Sequence, residues 1–221
     1  MKSLRRLSAA ALVALPLAAF AQSASPADAD AAMKAALETK GDARRGQAAY
    51  DDQECGTCHR RDASGRANIN TPRLSAQHAP VIVKQVLDIR SGLRNNPAMK
   101  PVVAEPALSL QAIADIAAYL QGLPVAGDIA KGPGDTVARG KELFDRDCAA
   151  CHGAAGEGRG EAFIPMLASQ HYTYLLRELT LIRDGGRGNS NPVMASLLKS
   201  HPPADLQALA DYLSRLPAPT R

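Results

Sequence analysis

From about residue 40 onward, apolar residues recur at three- and four-residue spacing, and the runs are separated by short polar breaks rich in Gly, Pro and Asn. In LQAIADIAAYLQGLP (110–124) and DLQALADYLSRLP (205–217) the apolar positions follow i, i+3, i+4, and both runs stop at Leu-Pro. Each predicts an amphipathic helix with one buried stripe. APVIVKQVLDIRSG (79–92) and YTYLLRELTLIRDGG (172–186) predict helices that close on Arg and then Gly, a basic last turn followed by a glycine cap. DARRGQAAYDDQ (42–53) and TVARGKELFDRD (136–147) carry Gly46 with Tyr50 and Gly140 with Phe144, i and i+4 pairs on one helical face. A small residue facing an aromatic lets two helices cross closely, so Gly46 is expected against Tyr119 and Gly140 against Tyr212. No segment shows the alternation of a strand, and the expected class is all-α.

The same elements occur twice. Cys55 and Cys148 are 93 residues apart, as are Pro72 and Pro165, Gln77 and Gln170, His78 and His171, Arg90 and Arg183, Gly92 and Gly185, and Pro124 and Pro217. A single offset shared by so many pairs indicates duplication. Gly46 to Gly140 and Met99 to Met194 slip from it by one and two residues, as small loop insertions would require. The duplication predicts an N-terminal tail over 22–41, one domain over 42–124, a Gly-containing linker over 125–136, a second domain over 137–217 and a short tail over 218–221.

Residues 1–21 read as a segment to be removed. Lys2, Arg5 and Arg6 precede an apolar run from Ala9 to Phe20, and Ala19-Phe20-Ala21 has the small-x-small form of a signal-peptidase site. The run of 12 is shorter than the roughly 18–20 residues of a membrane anchor. Export to the periplasm is therefore expected, with cleavage after Ala21. Removal takes three of the 26 Lys and Arg and none of the 22 Asp and Glu, leaving 23 against 22, a net +1. The basic balance thus belongs to the leader and gives no warrant for nucleic-acid binding. Peripheral contact with a membrane surface stays open. With 4% aromatic residues and no Trp, lobes of this size need something besides large side chains to fill their cores.

The cysteines supply that something. All four lie in CGTCH (Cys55, Cys58, His59) and CAACH (Cys148, Cys151, His152). Thiols at i and i+3 share a helical face and can add to the two vinyl groups of a haem, and the following His turns its imidazole to the iron. Cys55, Cys58, Cys148 and Cys151 are thus expected to hold two haem c groups covalently, with His59 and His152 as proximal ligands. A thioredoxin-like dithiol needs a βαβ pattern that is absent. A structural zinc site needs ligand pairs far closer than 93 residues.

The sixth coordination position has two sets of candidates. Met99 and Met194 stand 40 and 42 residues beyond His59 and His152, each in Asn-Pro-x-Met, where the proline defines a turn. Thioether ligation raises the reduction potential. His78 and His171, each 19 residues beyond the proximal His, would instead give bis-His haems of lower potential, although a place just before a helix favours a structural role. Met166 has no methionine counterpart in the first lobe, where Leu74 is nearest, and Met33 is in the leading tail. Both read as packing or solvent-exposed residues. Arg90, Arg94, Arg183 and Arg187 are candidates for haem propionates, the alternative being helix-end cations in water.

The order of N-terminal helix, CxxCH, proline loop at Pro72 and Pro165, middle helix, methionine loop and aromatic-bearing last helix resembles class I cytochrome c. Two such lobes behind a leader resemble the periplasmic two-haem cytochrome c(4) family, over residues 42–124 and 137–217. The resemblance implies an electron carrier rather than an enzyme, with propionate edges facing each other across the lobes. It also implies a terminal oxidase as acceptor and a quinol-oxidising complex or periplasmic dehydrogenase as donor. The rival readings are a cytochrome subunit of a periplasmic dehydrogenase complex, a two-haem peroxidase with one displaceable ligand, and a metal-stapled structural module.

Overall fold

The computed structural model describes residues 26–125 and 128–219, so the expected leader lies outside the described residues. Lobe 1 comprises α1 (Pro26–Glu38), α2 (Ala43–Asp52), α3 (Gly56–His59), α4 (Ala79–Ser91) and α5 (Leu110–Gly122). Lobe 2 comprises α6 (Val137–Asp147), α7 (Ala149–His152), α8 (Tyr172–Arg183), α9 (Pro192–Lys199) and α10 (Pro203–Arg215). Among the described residues the extended pairing amounts to two isolated bridges, Arg66 with Thr71 and Arg159 with Ile164. The fold is all-α.

Glycine sets the crossing that closes each lobe. A Cβ on Gly46 would sit 1.9 Å from the Asp115 carbonyl oxygen and 2.8 Å from Tyr119 Cβ. One on Gly140 would sit 2.0 Å from the Ala208 oxygen and 2.7 Å from Tyr212 Cβ. Thus α2 lies directly on α5 and α6 directly on α10, as the paired small and aromatic residues predict. The aromatic rings then meet in tilted pairs, Tyr50 with Tyr119 at 5.7 Å and Phe144 with Tyr212 at 5.6 Å between centroids. Ile82, Val83, Leu87, Ile113 and Leu120 complete the core of lobe 1, and Leu143, Leu179, Leu206, Leu209 and Leu213 that of lobe 2. Each such side chain contributes about 1.5–3 kcal/mol by leaving water.

Two segments differ from their expected roles. The stretch 22–41, expected as a tail, contains α1, which packs on α4 and α5. Ala36 is fully buried there, and Met33 lies against the lobe-1 core. Met33 and Ala36 form a short i, i+3 stripe on an alanine-rich helix, enough to dock it. The stretch expected as a linker is tied to lobe 2 through its second half. Gly132 N–H donates to Ser214 Oγ at 3.3 Å, Gly134 N–H to Asp211 Oδ2 at 2.7 Å, and Arg215 Nη2 to Gly132 O at 2.6 Å.

The lobes meet through paired contacts that respect the repeat. His78 Nε2 lies 2.8 Å from Glu157 O, and His171 Nε2 lies 2.8 Å from Ser64 O. Glu157 is 93 residues beyond Ser64, so the two bonds are related by a pseudo-two-fold axis. Ala76, Met166 and Ala168 form a small apolar cluster at the same boundary. Met166 is thus a packing residue, and its structural counterpart is Arg73 rather than Leu74. The buried Arg73 guanidinium donates to Ser169 O at 2.7 Å, to Ala168 O at 2.9 Å and to Ser75 O. One arginine therefore binds backbone of both lobes.

Candidate functional site

Each Cys-x-x-Cys-His segment forms a single helical turn, just after α2 in lobe 1 and after α6 in lobe 2. His59 N–H donates to Cys55 O at 2.9 Å, and His152 N–H to Cys148 O at 3.0 Å. The turn leaves Cys55 and Cys148 half-buried and Cys58 and Cys151 exposed, none of the four in a disulfide. Burial, with nearby carboxylates, pushes the Cys55 thiol up and that of Cys148 up to about 11. A redox dithiol needs a nucleophile shifted the other way. Among the described residues no group of three or more His, Cys, Asp or Glu could hold a bare metal ion. The zinc and dithiol readings therefore find no support in the geometry, whereas neutral thiols one turn apart fit thioether attachment to haem.

The imidazoles are prepared on one side and free on the other. His59 and His152 are buried, and burial lowers the pKa of both. His59 Nδ1 lies 3.1 Å from Pro72 O, and His152 Nδ1 lies 3.1 Å from Pro165 O. A carbonyl can only accept, so each Nδ1 carries the hydrogen and each Nε2 keeps its lone pair for a metal. The proline carbonyls are brought in by a tight loop. Gly65 N–H donates to His59 O at 2.9 Å, and a Cβ on Gly65 would fall 2.5 Å from the Pro72 carbonyl carbon. No other residue allows that approach, and Gly158 repeats it beside Pro165.

Met99 is half-buried against the lobe-1 core together with Cys55 and Leu74, and Met194 against the lobe-2 core together with Cys148 and Leu167. Each backbone is held by the asparagine of its Asn-Pro-x-Met. Met99 N–H donates to Asn96 Oδ1 at 3.2 Å and Met194 N–H to Asn191 Oδ1 at 3.4 Å. The two loops then diverge. Asn191 caps α9, with Pro192 in its first turn. In lobe 1 the chain after Met99 makes only turns, because Pro101 lacks the N–H that a continuing helix needs. The first cysteine and the methionine thus border one apolar core in each lobe, and the buried imidazole follows that cysteine by one turn, a donor set suited to haem c.

The competing histidines are engaged elsewhere. His171 Nε2 donates to Ser64 O, and its Nδ1 accepts from Ala130 N–H at 3.1 Å. Both nitrogens are used at the lobe boundary, and those of His201 face Asp147 and Asp205. Burial lowers the His171 pKa below 6.5, opposed by the Ser64 bond and reinforced by Arg73 and Arg60. The folded protein therefore binds fewer protons here than the unfolded chain, and its stability rises with pH in this range. This contribution is complete above about pH 6.5. It is lost as pH falls toward the depressed folded value. Protonation also breaks the bond from Ala130. Thermal unfolding between pH 7.5 and 5 is expected to show a fall in melting temperature that His171→Gln reduces; an unchanged slope in the variant would assign the fall to other groups.

The repeated arginines divide into two kinds. Arg90 Nε donates to Val103 O at 2.6 Å and its Nη1 pairs with Glu105 at 2.9 Å, strapping the loop after Met99 to α4. Arg183 pairs with the adjacent Asp184 at 2.7 Å. Arg94 and Arg187 face each other across the lobe boundary around Glu178, at 2.9 and 2.8 Å, and both also reach Gln85. Burial alone would raise the Glu178 pKa, but Arg94, Arg187 and Arg177 hold it below the usual carboxylate range. Buried Arg94, half-buried Arg187 and Arg177 all share Glu178, so positive charge outnumbers that carboxylate at the lobe boundary.

The Cytochrome c family model matches residues 43–124 and again 137–217. The chain is 38% identical over 172 residues to the thiosulfate dehydrogenase electron acceptor of Stutzerimonas stutzeri, covering 73% of this chain and 78% of that protein. It is 33% identical over 186 residues to cytochrome c4 of Pseudomonas aeruginosa, covering 80% and 89% respectively. The crystal structure of reduced recombinant cytochrome c4 from Pseudomonas stutzeri matches with a TM-score of 0.70 and 29% identity, over 80% of this chain and 99% of that chain. A thiosulfate dehydrogenase (TsdBA) from Marichromatium purpuratum gives 0.69 and 28% identity, over 79% of this chain and 40% of that chain.

Proposed function

Because the chain belongs to the cytochrome c family, in its two-haem cytochrome c4 branch, we propose that it is a periplasmic carrier whose two irons are each closed by a histidine and a methionine. Two haem c groups are bound covalently, at Cys55 and Cys58 and at Cys148 and Cys151. When bound, each supplies one-electron iron chemistry at a potential the protein adjusts. The remaining work belongs to the chain. His59 and His152 present Nε2 because their Nδ1–H groups are held by Pro72 and Pro165. Met99 and Met194, on loops held by Asn96 and Asn191, would supply the second protein ligand to each iron and so exclude water and small ligands. Arg94 and Arg187 are the two repeated arginines placed inside the lobe boundary, where propionates would find them.

One observation carries this reading: in both repeats a Cys-x-x-Cys-His turn ends on a buried imidazole whose Nδ1–H is held by a proline carbonyl, and a half-buried methionine packs on the same core as the first cysteine. In a redox titration the holoprotein is expected to take up two electrons per chain, and the reduced form is expected not to bind carbon monoxide. Carbon monoxide or peroxide binding by one haem would overturn the carrier reading in favour of a peroxidase.

The likeness to a thiosulfate dehydrogenase electron acceptor favours a further reading in which the donor is a periplasmic dehydrogenase. The dehydrogenase fills the donor end of the carrier and a terminal oxidase the acceptor end. Stopped-flow reduction by a thiosulfate dehydrogenase with thiosulfate, compared with reduction by a quinol-oxidising complex, distinguishes the two donors.

A further inference from the structure

Two buried side-chain amides reach across the lobe boundary in a reciprocal arrangement. Gln170 of lobe 2 accepts from Arg73 N–H at 2.9 Å through Oε1 and donates to Arg73 O at 3.0 Å through Nε2. Gln77 of lobe 1 treats Met166 in the same way, at 2.9 and 3.0 Å. Each Oε1 also accepts from the next backbone N–H, that of His78 at 3.1 Å and of His171 at 3.0 Å. Because every partner is backbone, the orientation of both amides is unambiguous.

The peptide units involved are not arbitrary. Arg73 N–H and Pro72 C=O belong to one planar amide. Its oxygen accepts from His59 Nδ1 at 3.1 Å while its N–H donates to Gln170. The Pro165–Met166 amide joins His152 to Gln77 in the same way. A glutamine in each lobe is therefore two hydrogen bonds from the proximal histidine of the other. Hydrogen-bonded amides polarise one another, with roughly 10–30% strengthening per bond. An acceptor on the N–H makes the carbonyl a stronger acceptor for the imidazole. A more firmly held Nδ1–H makes the imidazole a more basic ligand, and a more basic ligand favours oxidised iron.

We propose that Gln170 and Gln77 are crossed positioning residues, Gln170 setting the potential of the haem held by His59 and Gln77 that of the haem held by His152. The proposal rests on those histidines being axial ligands. A glutamine that merely filled the interface could satisfy any buried backbone pair. Both instead place Oε1 on the N–H of the peptide whose carbonyl holds the proximal imidazole, while Nε2 takes the carbonyl of the next peptide. The potential of each haem then depends on the seating of the opposite lobe.

Spectroelectrochemistry of the holoprotein in a Met194→His background tests this, because that substitution moves the lobe-2 wave down and leaves the lobe-1 wave alone. If it moves no wave, the ligand reading itself fails. With the background in place, Gln170→Leu is expected to raise the lobe-1 wave. The reduced-to-oxidised ratio at fixed potential should increase about three- to tenfold, ~30 to ~59 mV for one electron. Gln170→Glu, which keeps an acceptor on Arg73 N–H, is expected not to raise it and provides an independent sign if the leucine variant fails to fold. Gln77→Leu should leave the lobe-1 wave in place. In proton spectra of the reduced protein the His59 Nδ1–H resonance should move upfield in Gln170→Leu alone. An unmoved lobe-1 wave, an equal rise in Gln77→Leu, or an unmoved His59 resonance would each overturn the proposal.

Discussion

Replacing Met99 by His is expected to lower the midpoint potential of the lobe-1 haem by at least about 0.1 V, within the ~0.8 V span that axial ligands cover, and Met194→His to do the same in lobe 2. A neutral, polarizable thioether favours reduced iron, whereas an imidazole stabilises the oxidised form. Each methionine sits half-buried against the core that also holds the first cysteine of its own lobe. The weak red iron–sulfur charge-transfer band of the oxidised protein should fall by about half in either single variant and vanish in the double. If neither variant loses band intensity or moves a wave, the ligation reading is wrong. The structure leaves a poor alternative in that event, since both nitrogens of His171 are occupied at the lobe boundary. Because Met99 precedes a turn segment and Met194 enters α9, the two loops differ in stiffness, and the two variants need not shift their waves equally.

The haem attachment turns were legible in the sequence because their chemistry is local. Two thiols and an imidazole within five residues constrain only one turn of helix, and Asn-Pro-x-Met encodes its own backbone geometry. The crossings of Gly46 with Tyr119 and Gly140 with Tyr212 were legible for a related reason, since close approach demands a small residue and leaves a mark. The lobe boundary was not. A 93-residue offset shows that two copies exist but not which faces meet. The bonds made there by His78, His171, Gln77 and Gln170 end on backbone carbonyls and amides, which have no sequence signature. The one available sign was the retention of adjacent Gln-His in both repeats. Helix α1 was missed because its stripe is short and alanine-rich, so its docking depends on the surface of α4 and α5 rather than on its own pattern.

Gly46→Ala and Gly140→Ala are expected to destabilise their lobes by about 2–4 kcal/mol, at or above the usual range for overpacking. Two effects compete. Alanine is a better helix former than glycine by about 1 kcal/mol, which would stabilise α2 or α6 if nothing lay nearby. The added Cβ, however, falls 1.9 or 2.0 Å from a backbone carbonyl oxygen of the facing helix. A carbonyl cannot rotate aside as a side-chain tip can, so the helices must separate and the tilted aromatic pairs lose contact. Gly122, near the end of α5 with open space at its Cβ position, separates the two terms. Gly122→Ala should be neutral or slightly stabilising. For lobes of this size, 2–4 kcal/mol corresponds to a fall in melting temperature on the order of 10–25 °C, readable by circular dichroism of the holoprotein. The cost reaches the redox centre in lobe 1. Tyr50 Oη donates to Arg60 O at 2.8 Å, tying α2 to the residue after His59. Displacing α2 therefore pulls on the proximal ligand, and Gly46→Ala should broaden the lobe-1 wave as well as lower its unfolding temperature. Phe144, at the matching place in lobe 2, has no hydroxyl, so Gly140→Ala should lower stability with a smaller electrochemical change. Equal melting temperatures for Gly46→Ala and Gly122→Ala would show that the helices have room for a methyl group and that the crossing is not what selects glycine.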